Sequence, residues 1–391
     1  MTATRKILVA LAAVVIFDLI GFRSGLYASI TTTESMQGFG IAMVRALEKL
    51  PPMPDSGVVL TGDSRISEGF SARLANDAVG SNKLTLMNAG IPGSDIRDWY
   101  YFLQAIDPDK DRFRAIVLTL PTFRAAPPVV SRIDEPYHSD FLVPTIGSKH
   151  YLDFAMSLHG WRERFDAIAQ WGVDPLTYQA DFGKLLSDPL ARLANVRWKR
   201  KVGIHFGDEY DGNPATMVGL TYDSSSGKIT YPSRLNEEQR HKLDVDFNHP
   251  NLNLRVEFAD WTSQWLSRIA DRYAGSATRV YIVRLPSTPL PTAIHDDRYP
   301  PAPFFMHGTP DGNIRIVPES LLLGLEQPQY FFDNRHLNSA GRKAMTAMLK
   351  EYLDSDLAND CGRLKCIGNA GARREEMQLV PGMIRPASGP I

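Results

Sequence analysis

Cysteine is scarce in this chain. Its 391 residues hold two, Cys361 and Cys366, close together in a Gly- and Asn-rich stretch near the C-terminus. Two cysteines cannot build a disulfide framework, and the pair reads either as one short-loop disulfide in an exported domain or as two free surface thiols. Charge of one sign is not in excess either. A net charge of -1 gives no electrostatic case for binding nucleic acid or a strongly acidic substrate. The histidines, among them His138, His150, His159 and His205, show no metal-ligand spacing, so neither a metal nor another cofactor is expected. There is no internal repeat and no low-complexity tract. At 43% hydrophobic and 22% charged residues, the chain can bury a substantial core in one large domain or two small ones.

The N-terminus is strongly apolar. Arg5 and Lys6 precede an apolar run from Ile7 to Phe17, and Asp18 then separates it from Leu19–Phe22. The uninterrupted run is shorter than the ~20 residues of a spanning helix, and including Asp18 through Phe22 brings it near that length. Residues 1–28 are therefore expected to be an uncleaved single-pass anchor, with a signal peptide cleaved after Ala28 as the alternative. Leu26, two residues before Ala28, is bulkier than such a cleavage site favours. Either way the basic residues ahead of the run keep the N-terminus in the cytoplasm and put the rest outside the cytoplasmic membrane. Asp18 is costly in lipid and is expected at the outer interface or against a partner helix.

Residues 29–54 read as a helix (31–50, with Ile41, Val44, Leu47 and Leu50 at helical spacing) and a stiff Pro-rich linker. Residues 55–130 then alternate short apolar strands (57–61, 84–88, 115–120) with helices (66–78, 95–106). That alternation predicts an α/β fold with a parallel sheet and helices on both faces. Residues 131–250 break the pattern. Helix-like pieces fall near 150–170 and 182–200, and a Gly-, Asp- and Ser-rich loop or hairpin at 208–234, so the region is expected to be an insertion forming a cap or a partner surface. The core resumes over 251–355, with a helix at 254–274, a strand at 279–285 and a last helix at 340–353 capped by Asn338 or Ser339. Residues 356–391 read as a poorly ordered tail.

Two short motifs carry the chemistry. Gly62-Asp63-Ser64-Arg65 follows the first apolar strand, and Asp333-Asn334-Arg335-His336 stands just before the last helix. A serine hydroxyl is a poor nucleophile near neutral pH and needs an imidazole base and a carboxylate that fixes its tautomer. Ser64, His336 and Asp333 supply these three groups. Ser64, Gly93 and Thr122 all fall just past strand ends, where sites gather in parallel sheets. Arg65 is either a salt-bridge partner or a binder of an anionic substrate such as a uronate or phosphate, and Asn88 either ties the loop after its strand or contacts substrate.

Gly62-Asp63-Ser64, the stretch Asn88-Ala89-Gly90-Ile91-Pro92-Gly93-Ser94 and Asp333-x-x-His336 together resemble the first, second and last blocks of the SGNH (GDSL-like) hydrolase and acyltransferase superfamily. The resemblance covers roughly residues 55–125 and 278–355. It implies a flavodoxin-like SGNH fold, here with a large insertion and an N-terminal transmembrane helix. It also implies an acyl-enzyme on Ser64 and an oxyanion hole from the Ser64 and Gly93 amides. The third block departs from the family: where Gly-x-Asn-Asp is usual, this chain has Ile116 to Arg124 without asparagine, which leaves Thr122 or Arg124 as substitute donors. The anchor and insertion further resemble alginate O-acetyltransferases and the D-alanyl transfer proteins of teichoic acid synthesis. The implied substrate is an acylated cell-surface glycan or glycolipid, and the implied partner a polytopic membrane O-acyltransferase. A catalytically idle accessory protein that binds glycan or scaffolds such an acyltransferase is the competing reading.

Overall fold

The computed structural model describes residues 2–31, 35–78, 84–120, 144–158, 160–202, 212–223, 226, 228–248, 256–286, 289 and 313–377. The chain opens with α1 (Ala3–Phe17), which runs into a widened π turn over Asp18–Arg23 and a short 3-10 turn at Tyr27–Ser29. From Ala3 to Ser29 this element is long and apolar enough to cross a membrane or to be a signal sequence. Next comes α2 (Met36–Lys49), started by Ser35, whose hydroxyl accepts the Gly38 N–H at 3.1 Å.

The strands β1 (Met53–Thr61), β2 (Thr85–Asn88) and β3 (Phe113–Leu120) alternate with α3 (Ser64–Gly69), α4 (Ala72–Asp77) and α5 (Ile96–Ile106). The helix expected at 66–78 is thus two. Phe70 is extended between them, its carbonyl accepting from Asn88 Nδ2 at 2.8 Å and Arg342 Nη2 at 3.2 Å, while the Ser71 N–H donates to Thr346 Oγ1 at 3.0 Å. Tertiary bonds claim backbone groups that a continuous helix would have used. Beyond β3 lie α6 (Ser148–Ser157), α7 (Trp161–Gly172), α8 (Asp174–Thr177), α9 (Gln179–Ser187) and α10 (Pro189–Val202). An antiparallel hairpin of β4 (Thr221–Asp223) and β5 (Lys228–Thr230) follows, then α11 (Glu237–Asn248). The second half of the core comprises α12 (Val256–Tyr273), β6 (Arg279–Arg284), β7 (Ile314–Ile316), α13 (Ser320–Leu323) and α14 (Ser339–Met377).

The main sheet is entirely parallel, in the order β2-β1-β3-β6-β7. Counting only these five strands, that is the doubly wound order 2-1-3-4-5. Its strands read as continuous apolar runs because both faces are covered. Val59, Ile116, Leu118, Val280 and Ile282 face one core with α2, α5 and α12. Val58, Leu60, Val117, Tyr281 and Val283 face the other with α3, α4 and α14. Each fully buried aliphatic or aromatic side chain contributes about 1.5–3 kcal/mol. The first of the insertion helices belongs to the core as well: Tyr151, Phe154 and Ala155 of α6 pack with α5 and α12, and Tyr101 donates to Asp153 at 2.7 Å.

The last helix passes the expected end at 353 and the onset of the expected tail at 356. No Gly or Pro lies between Gly341 and Cys361 to stop it, and Lys350 pairs with Asp354 one turn on. Cys361 and Cys366 lie within it. Whether the two side chains pair lies outside the described residues.

Candidate active site

Ser64 follows the end of β1, where Gly62 lies so close to β3 and α3 that a side chain there would collide. A Cβ on Gly62 would lie 1.9 Å from Thr119 Oγ1 and 2.8 Å from Ile66 Cγ2. Asp63 then caps α3, its carboxylate accepting the Arg65 N–H at 2.9 Å, and Ser64 is the first helical residue. The loop after β2 packs directly on this helix: a Cβ on Gly90 would come within 2.6 Å of the Ser67 nitrogen. Asn88 fastens the two together. Its Nδ2 donates to the carbonyls of Ile66, Ser67 and Phe70 at 2.9, 3.1 and 2.8 Å, and its Oδ1 accepts the Gly90 N–H at 3.1 Å. Buried and bonded to backbone in this way, Asn88 has the geometry of the loop-tying reading.

Gly93 has φ +75°, the left-handed conformation that favours glycine. Its turn is pinned to the end of the strand that leads to Ser64, since the Ile91 N–H donates to the Gly62 carbonyl at 2.8 Å and Ser94 Oγ lies 3.2 Å from the same oxygen. Trp99 Nε1 donates to Ser94 Oγ at 2.8 Å, fixing the turn from α5. Among the described residues the amides of Ser64 and Gly93 have no intramolecular acceptor. Thr122 and Arg124 lie outside the described residues. β3, which leads to them, ends beside β1 with Thr61 opposite Leu118.

Across the site, Asp333 forms a tight turn. Its Oδ1 accepts the N–H groups of Arg335 and His336 at 2.8 and 2.7 Å, and its Oδ2 lies 2.9 Å from His336 Nδ1. A carboxylate only accepts, so Nδ1 carries the proton and Nε2 keeps its lone pair. Nε2 is 2.8 Å from Ser64 Oγ. The loop is held by Asn338, whose Nδ2 donates to the Gln329 and Phe331 carbonyls at 2.7 and 3.2 Å while its Oδ1 caps Ala340 and Gly341. Of the two expected caps for the last helix, Asn338 is the one used.

Burial disfavours the charged imidazolium of His336, but the hydrogen bond and charge of Asp333, aided by Glu68 and Asp63, outweigh it and raise its pKa. For Asp333, burial pushes upward and is overcome by the His336 hydrogen bond and charge and by two backbone amides, so its pKa is lowered. Asp63 is likewise pushed up by burial and brought below its ordinary value chiefly by the Arg65 charge and hydrogen bonds. Arg65 Nε lies 3.1 and 3.0 Å from the two Asp63 oxygens, and Nη2 also contacts Oδ2. The salt-bridge reading of Arg65 fits this geometry.

Two further residues belong to the site's frame and were not foreseen. Asn213, from the insertion, donates Nδ2 to Glu68 at 2.8 Å, and its carbonyl accepts the Ser339 N–H and Oγ–H at 2.9 and 3.0 Å. No local sequence pattern marks either residue, because their roles exist only through contacts 126 and 145 positions apart. Among the described residues no group of three or more His, Cys, Asp or Glu could hold a metal ion. Comparison with models of known protein families, with curated proteins and with solved structures gives no match.

Proposed function

We propose that this protein is a serine esterase or O-acyltransferase of the SGNH type, acting outside the cytoplasmic membrane on acyl (acetyl) esters of a cell-surface glycan or glycolipid. The observation that carries the reading is the relay Ser64 Oγ, His336 Nε2, His336 Nδ1, Asp333 Oδ2, with separations of 2.8 and 2.9 Å, standing past the ends of parallel strands. The 2-1-3-4-5 strand order agrees with a flavodoxin-like SGNH fold. The apolar N-terminal element agrees with an anchor that leaves the site outside.

In this mechanism His336 Nε2 takes the Ser64 hydroxyl proton as Oγ attacks the ester carbonyl carbon. The Ser64 and Gly93 amides receive the oxyanion. Collapse expels the alkoxide, which leaves with the proton from His336, and the acyl group stays on Ser64 as an ester. Water or an acceptor hydroxyl then attacks this ester, giving its proton to Nε2, and the proton returns to Ser64 Oγ as the second tetrahedral species breaks down. Water as acceptor makes the protein an esterase; a glycan hydroxyl makes it a transferase. A polytopic membrane O-acyltransferase is the proposed partner that loads or receives the acyl group.

The missing third-block asparagine favours the second reading, an idle accessory protein that binds glycan or scaffolds the acyltransferase. A fluorophosphonate probe separates the two. The full chain is expected to be labelled on Ser64 and to release nitrophenol from nitrophenyl acetate. Ser64→Ala abolishes both signals, and His336→Ala does comparable damage because triad members act as a unit. A wild-type chain that neither reacts with the probe nor turns over the ester is the scaffold.

A further inference from the structure

All but three of the exposed large apolar side chains among the described residues fall in residues 7–26 and 152–193; the others are Leu74, Val218 and Ile316. The two segments meet at the foot of α1. Arg23 Nε donates to Asp18 at 2.7 Å, while its Nη2 donates to the Trp171 and Gly172 carbonyls at 3.0 and 2.8 Å. Phe22, Tyr27 and Tyr178 are buried together, with ring centroids 4.6 Å apart for Phe22–Tyr27 and 5.0 Å for Tyr27–Tyr178. The Tyr27 hydroxyl donates to Asp181 at 2.7 Å, and Asp181 pairs with Arg192 at 3.0 Å in a buried bridge. Cleavage after Ala28 would remove Phe22 and Tyr27 from this core and leave a buried ion pair short of a hydrogen bond, a costly outcome.

The joint also fixes where α7, α9 and α10 stand relative to α1. On α7, Trp161, Phe165 and Ile168 recur at helical spacing and are 80%, 64% and 43% exposed. The neighbouring Ala167 faces the core, and Arg162 and Asp166, on a third sector, pair with each other at 4.0 Å. Leu186 of α9 and Leu190 of α10 are 67% and 79% exposed. Apolar exposure on this scale marks a contact surface, and aromatic residues beside an apolar helix are what a membrane–water interface selects. The occupant is lipid and not protein because the surface is continuous with α1. The large apolar side chains of α1, Ile7 to Phe17, are 49–61% exposed with none buried, as a helix surrounded by lipid requires, and Phe17 meets Phe182 of α9 at 6.4 Å. The medium around α1 is thus continuous with that around these helices.

We propose that α7, α9 and α10 form a collar lying in the bilayer interface around the foot of an uncleaved α1. This rests on the reading of α1 as a membrane helix and is independent of the serine chemistry. The test reconstitutes the full chain, with Cys361→Ser and Cys366→Ser, into phosphatidylethanolamine–phosphatidylglycerol vesicles and places single nitroxides through Trp161→Cys, Phe165→Cys and Leu190→Cys. These labels are expected to collide more with dissolved oxygen than with a water-soluble nickel complex, and Asp166→Cys the reverse, on a chain whose mass retains residues 3–28. A shortened chain that washes off membranes overturns the anchor and the collar together. An intact, anchored chain whose three labels read aqueous overturns the collar alone. Labels aqueous in vesicles but shielded in native membranes assign the patch to a protein partner, which also overturns it.

Discussion

Replacing Asp333 with asparagine tests the relay at its most informative atom. The carboxylate does two separable jobs: Oδ1 accepts two backbone N–H groups at 2.8 and 2.7 Å, and Oδ2 accepts from His336 Nδ1 at 2.9 Å. Asparagine keeps an oxygen for the amides, so the turn and the fold survive. Its NH2 group, however, now faces Nδ1 as a donor. The imidazole responds by moving its proton to Nε2, which then points an N–H at Ser64 Oγ, 2.8 Å away, and no longer has a lone pair to accept the hydroxyl proton. A triad carboxylate changed in this way costs about 10⁴ in kcat, equivalent to about 5.5 kcal/mol of barrier at 1.36 kcal/mol per decade. KM changes little, because ester binding does not use the carboxylate. The assay is nitrophenyl acetate turnover by the full chain in detergent, with thermal unfolding and fluorophosphonate labelling rate measured in parallel. Asp333→Asn with turnover within threefold of wild type, beside an inactive Ser64→Ala, would show that Asp333 holds the loop without setting the tautomer.

Three other predictions concern charge and hydrogen bonding. The base must be neutral to act, and His336 titrates above its ordinary 6.5, so the rate is expected to rise with pH along a limb centred above that value; Glu68→Gln, which keeps an oxygen for Asn213, should shift the limb downward, and an unmoved limb refutes the Glu68 contribution. In stability the sign is opposite: a raised folded pKa means the imidazolium's contribution is complete below 6.5 and is lost as pH climbs through the raised value, a slope that His336→Ala should remove from denaturation measured across that window. Asn88→Ala takes the partner from the Ser67 carbonyl and the Gly90 N–H, while the Ile66 and Phe70 carbonyls keep the Phe70 N–H and Arg342 Nη2, and since one buried unpaired group costs about 1–3 kcal/mol, the melting temperature is expected to fall measurably; an unchanged melting temperature would mean that α3 and the glycine loop hold each other without it.

The parts of the fold legible in the sequence were those set by local rules. Strand runs that are apolar on both faces gave the parallel sheet, and Asn338, one of two candidate caps, marked the start of the last helix. Serine, aspartate and histidine could be paired because strand end and terminal helix flank them. Errors came where distant groups decide. The break at Phe70 depends on Asn88, Arg342 and Thr346, the last two more than 270 positions away. β7 has only Ile314–Ile316, too short for a period-two signal. Asn88 was ambiguous because an asparagine past a strand looks the same whether its amide points to substrate or to backbone.

The insertion is more than a cap on this core, since it takes part in holding the Asp333–His336 loop. The first turn of a helix has N–H groups with no partner inside the helix. At the start of α14, Asn338 satisfies those of Ala340 and Gly341, but the Ser339 N–H is taken by the Asn213 carbonyl. Gly212, just before it, has φ +100°, and a Cβ there would lie 2.6 Å from Ser339 Oγ and 2.9 Å from its Cα, so the approach that makes this bond requires glycine. Asn213 reaches Glu68 on the nucleophile's helix with its side chain and the residue three beyond His336 with its backbone. Earlier in the same insertion, α8 to α10 pack against the foot of α1 through Tyr178, Asp181 and Arg192. One stretch of chain therefore reaches both the joint at the foot of α1 and the loop that carries His336, which is why its length, excessive for a connection between neighbouring strands, is consistent with the architecture.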